Sequence, residues 1–202
     1  MRALTLRGNV VVRNPLELAL EFLEGYSSYD AGEPADPMSF GERDLRLANR
    51  GGARIAAAEI ESILARQEEI EAALGVIRPG ASLAAPVRSV PWRPLSRLFD
   101  AFAGIRGVGL SKTTKALHPK RPALVPLLDS VVQTYLLSEA PPAPLPDSFA
   151  ARGTALVRAY KRDLDVNRAA LQELRRELAR RGHRLTEVRI LDLVIWSVSV
   201  VS

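Results

Sequence analysis

Apolar residues recur with helical spacing along most of the chain, and only its two ends leave room for another reading. The opening, Leu4 to Arg13, alternates weakly and predicts a short strand or an extended arm. Asn14-Pro15 then opens a helix, with proline at the first helical position and Leu16, Leu18, Ala19, Phe22 and Leu23 on one stripe that ends near Gly25. Residues 26–41 are loop-like. A short helix capped at Ser39 or Gly41 carries Asp44, Leu45, Leu47 and Ala48, and Gly51-Gly52 stops it. A further helix is predicted over 56–74, with Ile60, Ile63, Leu64, Ile70 and Leu74 on one face. Another runs from Leu95 to Ala103, turning Leu95, Leu98, Phe99 and Phe102 inward. From Thr154 to Arg181 the spacing predicts one helix of about 42 Å, at 1.5 Å per residue. Its seam is Val157, Tyr160, Leu164, Asn167, Leu171, Leu174 and Leu178, with a single polar position, and Gly182 is placed to end it. Thr186 is a candidate cap for the last element, which is apolar almost all round from Ile190 to Trp196 and so predicts a buried central helix. The β-branched tail Val198, Val200 and Val201 leaves a strand open there. Proline-rich stretches at 79–94 and 140–146 read as connectors. The expected fold is all-α: one domain over 1–202, two-lobed, divided at those connectors.

Composition narrows the chemistry. The 202 residues include no cysteine and two histidines, His118 and His183. Disulfides, thiolate metal sites, iron–sulfur clusters and cysteine nucleophiles are excluded, and neither a metal nor another cofactor is expected. With 28 basic and 23 acidic residues the formal charge is +5, which permits a polyanionic partner without requiring one. The first residues lack the apolar core of a signal peptide, and the most apolar stretch, Ile190 to Val201, is interrupted by Asp192 and too short to span a bilayer. The expectation is a cytoplasmic protein with no membrane partner.

The informative stretch is Ile105-Arg106-Gly107-Val108-Gly109-Leu110-Ser111-Lys112-Thr113-Thr114-Lys115-Ala116-Leu117. Two glycines flank one apolar residue between two helices, a hairpin that needs glycine where the backbone turns through positive φ. Val108 would anchor it in the core. The helix that begins after Gly109 would offer unpaired N–H groups and a positive dipole end to a phosphate oxygen. Between Ala101 and Leu128 stand Arg106, Lys112, Lys115, Lys120 and Arg121 and no acidic residue, which predicts a local positive patch. Asp129 ends that run, at the start of a further apolar helix from Val131 to Leu137.

Gly107-Val108-Gly109, a helix, then Val125-Pro126-Leu127-Leu128-Asp129 resembles the helix-hairpin-helix DNA glycosylase superfamily. The resemblance covers residues 104–133. Bifunctional members carry a catalytic lysine two positions after the second hairpin glycine, where this chain has Ser111. The family's catalytic aspartate lies about eighteen residues further on, and Asp129 is 18 residues beyond Ser111. The resemblance therefore implies double-stranded DNA as partner, with Gly107, Val108, Gly109, Ser111, Lys112, Thr113 and Lys115 holding phosphate. Asp129 would be the catalytic carboxylate, Ser111 would stand in the lysine's place, and the reaction would be base excision, a DNA-repair hydrolysis without strand cleavage. An aspartate there would stabilise the oxocarbenium-like sugar or align the attacking water while the base is flipped into a pocket. This chain departs from the family at Lys112 and Thr113, which stand where small or polar residues are usual. The family's adenine-type members add a glutamate acid on an N-terminal helix, and Glu21, Glu24 and Glu59 all qualify. The remainder, including the closing 191–196, resembles an uncharacterised bacterial family of similar length.

Plainer roles stand beside these. Asp129 is a natural helix N-cap, and Ser111 a cap or phosphate donor. His118 before Pro119 reads as a helix-end residue favoured by the dipole. The basic residues along 158–181 read as a solvated face with interleaved acids, and Trp92 and Trp196 as core or interface residues. Two other functions fit the same residues: a non-catalytic DNA-binding adaptor, and a helical protein–protein scaffold. The oligomeric state is open.

Overall fold

The computed structural model describes residues 1–30, 36–139 and 144–201. Strands β1 (Leu4–Leu6) and β2 (Val10–Val12) pair antiparallel, Leu4 opposite Val12 and Thr5 opposite Val11. The arm is thus a hairpin, closed by a turn in which Gly8 and Asn9 have φ of 69° and 57°. The remaining elements are α1 (Pro15–Asp30), α2 (Glu42–Arg50), α3 (Ala57–Leu64), α4 (Gln67–Gly75), α5 (Trp92–Asp100), α6 (Leu110–Leu117), α7 (Ser130–Leu137), α8 (Phe149–Val166), α9 (Arg168–Arg180) and α10 (Glu187–Val201). The fold is mostly helical, with this one short two-stranded sheet among the described residues.

Two predicted helices are each broken, and in both a side chain at the break explains why. Over 154–181 the chain interrupts at Asn167 (φ −95°, ψ 6°), between α8 and α9. Asn167 Oδ1 accepts from the Thr5 N–H at 2.7 Å, and its Nδ2 donates to the Thr5 carbonyl at 2.8 Å. The one polar residue of the seam thus completes the open edge of β1, as a neighbouring strand would. Arg7 reinforces the anchorage through Asp163 at 2.8 Å. Over 56–74 the break falls at Arg66, whose guanidinium donates to the Ala103 carbonyl at 2.8 Å. Helix α1 continues past Gly25 to Asp30, and α10 remains helical through its β-branched tail, so the strand reading of that tail is not adopted. Residues 31–35 of the predicted 26–41 loop and 140–143 of the second connector lie outside the described residues. The first connector is irregular apart from one helical turn at Val87–Ser89 and the start of α5 at Trp92, and the Leu83 N–H donates to the Ala123 carbonyl.

Buried apolar side chains form one continuous cluster from Leu4 to Ile195. Helix α10 runs through it, packed against α1, α7, α8 and α9, and Ile190, Leu191, Leu193, Val194 and Ile195 are all fully enclosed. Thr186 caps it as the sequence predicts, accepting from the Arg189 N–H. Asp192 is buried among them. No helix among the described residues is long and apolar enough to cross a membrane.

Candidate functional site

The glycine hairpin forms where expected, with Gly107 and Gly109 exposed and Glu59 standing beside Gly107. Gly107 has φ +78°, Gly109 caps α6 and Val108 is buried. The cap is Gly109, because the first helical bond runs from the Thr113 N–H to its carbonyl. Ser111 therefore lies inside the first turn rather than capping it. Glu59 of α3 occupies the outer side of the hairpin. A Cβ on Gly107 would collide with Glu59 Oε1, and Lys112 Nζ reaches both oxygens of that carboxylate at 2.6 Å. The Lys112 contact and the Ala56 N–H hold the Glu59 carboxyl below its usual range. Thr113 is fully enclosed, so its hydroxyl is not available to a phosphate. Thr114 Oγ1 accepts from the Leu128 N–H at 3.0 Å, tying α6 to the segment before Asp129.

The five basic residues of the acid-free run do not make one patch. Lys120 is buried and paired with Asp44 at 2.6 Å. Arg121 is 0% exposed, and its guanidinium donates to the carbonyls of Leu74, Ile77, Pro37 and Lys120. Acids supplied by α2 and α3 in the fold, invisible in the local run, neutralise Lys120 and Lys112. His118 is also interior. Its Nδ1 lies 2.6 Å from the Val125 carbonyl, which can only accept, so this nitrogen carries the proton. His118 ends α6 as the sequence predicts, and burial, then the charge of Arg189, pulls its pKa down to about 4, which disfavours the charged ring on which a dipole contact depends. Along 158–181, Arg168 pairs with Asp165, and Arg180 and Arg181 pair with Glu177, as a solvated face would, but Lys161 is buried and donates to the Leu83 and Ala85 carbonyls. Trp92 lies under the Arg158 guanidinium, 4.1 Å from ring centroid to Cζ.

Asp129 does reach a cavity. Its Oδ1 accepts from the Val132 N–H at 3.0 Å, capping α7, and the half-buried side chain lines a space of about 410 Å³. That volume lies within the range of about 300–1,000 Å³ usual for small-molecule sites. Helix α1 contributes Phe22 and Tyr29; the end of α2 and the turn after it contribute Arg50, Gly51, Gly52 and Arg54; α6 contributes Lys115; α10 contributes Arg189, Asp192 and Trp196. Of the hairpin and phosphate residues predicted from sequence, only Lys115 shares this cavity with Asp129. Gly107 through Thr113 lie elsewhere.

The walls are fixed by specific contacts. Tyr29 Oη donates to the Lys115 carbonyl at 2.8 Å, and its ring leaves no room for a side chain at Gly51, where a Cβ would sit 2.6 Å from it. Arg189 makes a two-pronged ion pair with Asp30, both contacts at 2.7 Å, between the rings of Phe22 and Tyr29. Phe22 and Trp196 meet edge to face at 5.3 Å. Asp192 accepts from the Leu127 N–H, while its Oδ1 is buried with no hydrogen-bond partner. Burial pushes its pKa up to about 8 against the opposing charge of Arg189, so near pH 7 it is mostly a neutral acid. Among the described residues no group of three or more His, Asp or Glu side chains is gathered to hold a metal ion.

Sequence reasoning missed Tyr29, Arg50, Arg54, Arg189 and Asp192. Two signals pointed toward them: the Gly51-Gly52 pair, and a lone acid in an otherwise apolar helix.

Fold and cavity together define a mostly helical protein with a preformed pocket that pairs acidic and basic side chains over an aromatic wall. Compared with known families, the chain matches the model of a family of unknown function, DUF6308, over residues 23–199, and it belongs to that family. No curated protein and no solved structure matches it.

Proposed function

We propose that this chain binds a nucleotide unit extruded from duplex DNA and hydrolyses its N-glycosidic bond, with Asp129 stabilising the positive charge that develops on the sugar. The observation that carries the reading is the position of Asp129: held by its capping bond to Val132, in the wall of a cavity large enough for one nucleotide and lined by Phe22, Tyr29 and Trp196. The base would lie against the aromatic side and the sugar against the aspartate. In this reading the α1–α2 side and the α6–α7 side of the cavity are the two lobes implied by the glycosylase resemblance. Lys112 turns toward Glu59 and is not among the cavity residues, and Ser111 holds the lysine's place, so neither position supplies the amine for a Schiff base.

The test uses Asp129→Asn, because asparagine caps helices as well as aspartate and leaves α7 intact. Duplexes carrying a panel of damaged and mismatched bases are incubated with each protein and assayed for abasic sites. Wild type should release at least one base, and the variant should be slower by about 100-fold or more, the scale on which a lost electrostatic contact slows such chemistry. Release of no base, or equal release by both proteins, would overturn the reading.

A further inference from the structure

We propose that Arg50, Arg54 and Lys115 form a phosphate-binding site on the rim of the cavity, which takes the phosphate of the nucleotide whose base lies against Phe22 and Trp196. The nucleotide itself is taken from the reading above, and the site replaces the glycine hairpin as the phosphate grip.

The first argument is charge without a partner. Other cations nearby are matched: Lys112 by Glu59, Lys120 by Asp44, Arg189 by Asp30. Among the described residues Arg50, Arg54 and Lys115 have no carboxylate within 4.0 Å, yet all three line one cavity. Lys115 is half-buried, and its Nζ lies 3.9 Å from where a Cβ of Gly52 would sit, so its ammonium is held against the turn that carries the two arginines. Burial, with Arg189 and Arg54 adding to it, disfavours its charged form, and Asp129 is the counter-charge that acts on it. Arg50 and Arg54 are exposed, and the half-buried Lys115 is the cation that gains most from an arriving anion.

Backbone geometry brings the cations together. Gly52 has φ +74°, and Arg54 has φ +54°, a left-handed conformation uncommon for a side-chain-bearing residue. Those two positions turn the chain after α2 so that Arg50 and Arg54 border the same opening.

The shape of the charge favours phosphate over a carboxylate. Two guanidiniums and an ammonium exceed what one monoanion neutralises, whereas a phosphate monoester offers up to two charges and three acceptor oxygens. Asp192, mostly neutral near pH 7, adds little repulsion, which leaves Asp129 as the acid an incoming anion must tolerate. A free nucleotide presents that monoester, whereas a nucleotide within a strand presents a diester with one charge and two non-bridging oxygens.

Calorimetric titration of the full chain tests the site without any bond cleavage, so failure of excision and failure of this inference are separate results. The ligands are inorganic phosphate, a deoxynucleoside, its 5′-monophosphate, and a single-stranded oligodeoxynucleotide. The monophosphate should bind at least about tenfold more tightly than the nucleoside, equivalent to about 1.4 kcal/mol. Arg54→Gln and Lys115→Gln should each remove most of that advantage, and Lys115→Arg should restore it. Both glutamine variants should keep the thermal melt of wild type. A tighter oligonucleotide would identify a strand as the source of the phosphate; a monophosphate at least as tight would identify the free nucleotide. Equal affinity for nucleoside and monophosphate, or a phosphate advantage that survives both glutamine variants, would overturn the proposal.

Discussion

Replacing Asp192 by asparagine removes an acid whose protonation is tied to folding. The ordinary aspartate pKa is 3.8, and burial lifts it to about 8 in the folded chain. Between those values the folded protein holds a proton that the unfolded chain has released, so stability falls as pH rises, by about 1.4 kcal/mol per unit for one proton. Over the whole window the loss is on the order of 5 kcal/mol. His118 acts in the opposite sense. Its ordinary value is 6.5 and its folded value about 4, so the unfolded chain binds the extra proton and stability rises with pH between them. From pH 4 to 6.5 the two slopes nearly cancel; from 6.5 to 8 only Asp192 acts. Wild type should lose about 2 kcal/mol across that upper interval. Asp192→Asn should lose none there and should instead gain stability between pH 4 and 6.5, where His118 is left unopposed. Urea midpoints measured at half-unit steps from pH 4 to 8 read both slopes. A stability difference between variant and wild type that stays constant from pH 6.5 to 8 would refute the assignment of a protonated acid to the cavity wall.

Other perturbations give independent checks. Glu59→Gln removes the carboxylate that neutralises Lys112 beside the hairpin; if the hairpin contacts phosphates at all, duplex affinity at low salt should rise and its salt dependence should steepen by about one counterion, and unchanged binding would remove the hairpin from the interface. Gly51→Ala sets a methyl 2.6 Å from the Tyr29 ring and should cost about 1–3 kcal/mol in a denaturation assay. Arg121→Met strips charged donors from the carbonyls of Leu74, Ile77, Pro37 and Lys120, and at about 1–3 kcal/mol per buried group left unpaired it should lower stability by at least about 3 kcal/mol.

Local pattern carried the fold a long way. The cap at Thr186, the glycine stop after α2, the proline start of α1 and the enclosed character of α10 all follow from spacing and end residues. Failures came where a distant partner changes a residue's role. Asn167 and Arg66 end helices because they bind backbone groups 162 and 37 residues away. Lys120 and Arg121 looked like a surface patch because their acceptors lie on α2, at and just after the end of α4, and in the Pro37 segment. The candidate site was legible at one point, Asp129, where capping and cavity exposure coincide. Its basic rim was not, because Arg50 and Arg54 lie more than 60 positions upstream of Lys115 and only the packing of α2 on α6 unites them.

The interior anchorage of Lys120 and Arg121 has a kinetic consequence. These two neighbours rivet the segment entering α2 to the end of α4 and to the turn after α6. The two sides of the opening are thereby locked in one frame and cannot swing apart as a hinge would. Encounter with a small molecule should proceed in a single kinetic phase, its observed rate climbing linearly with ligand concentration and never reaching the plateau that a slow isomerisation imposes.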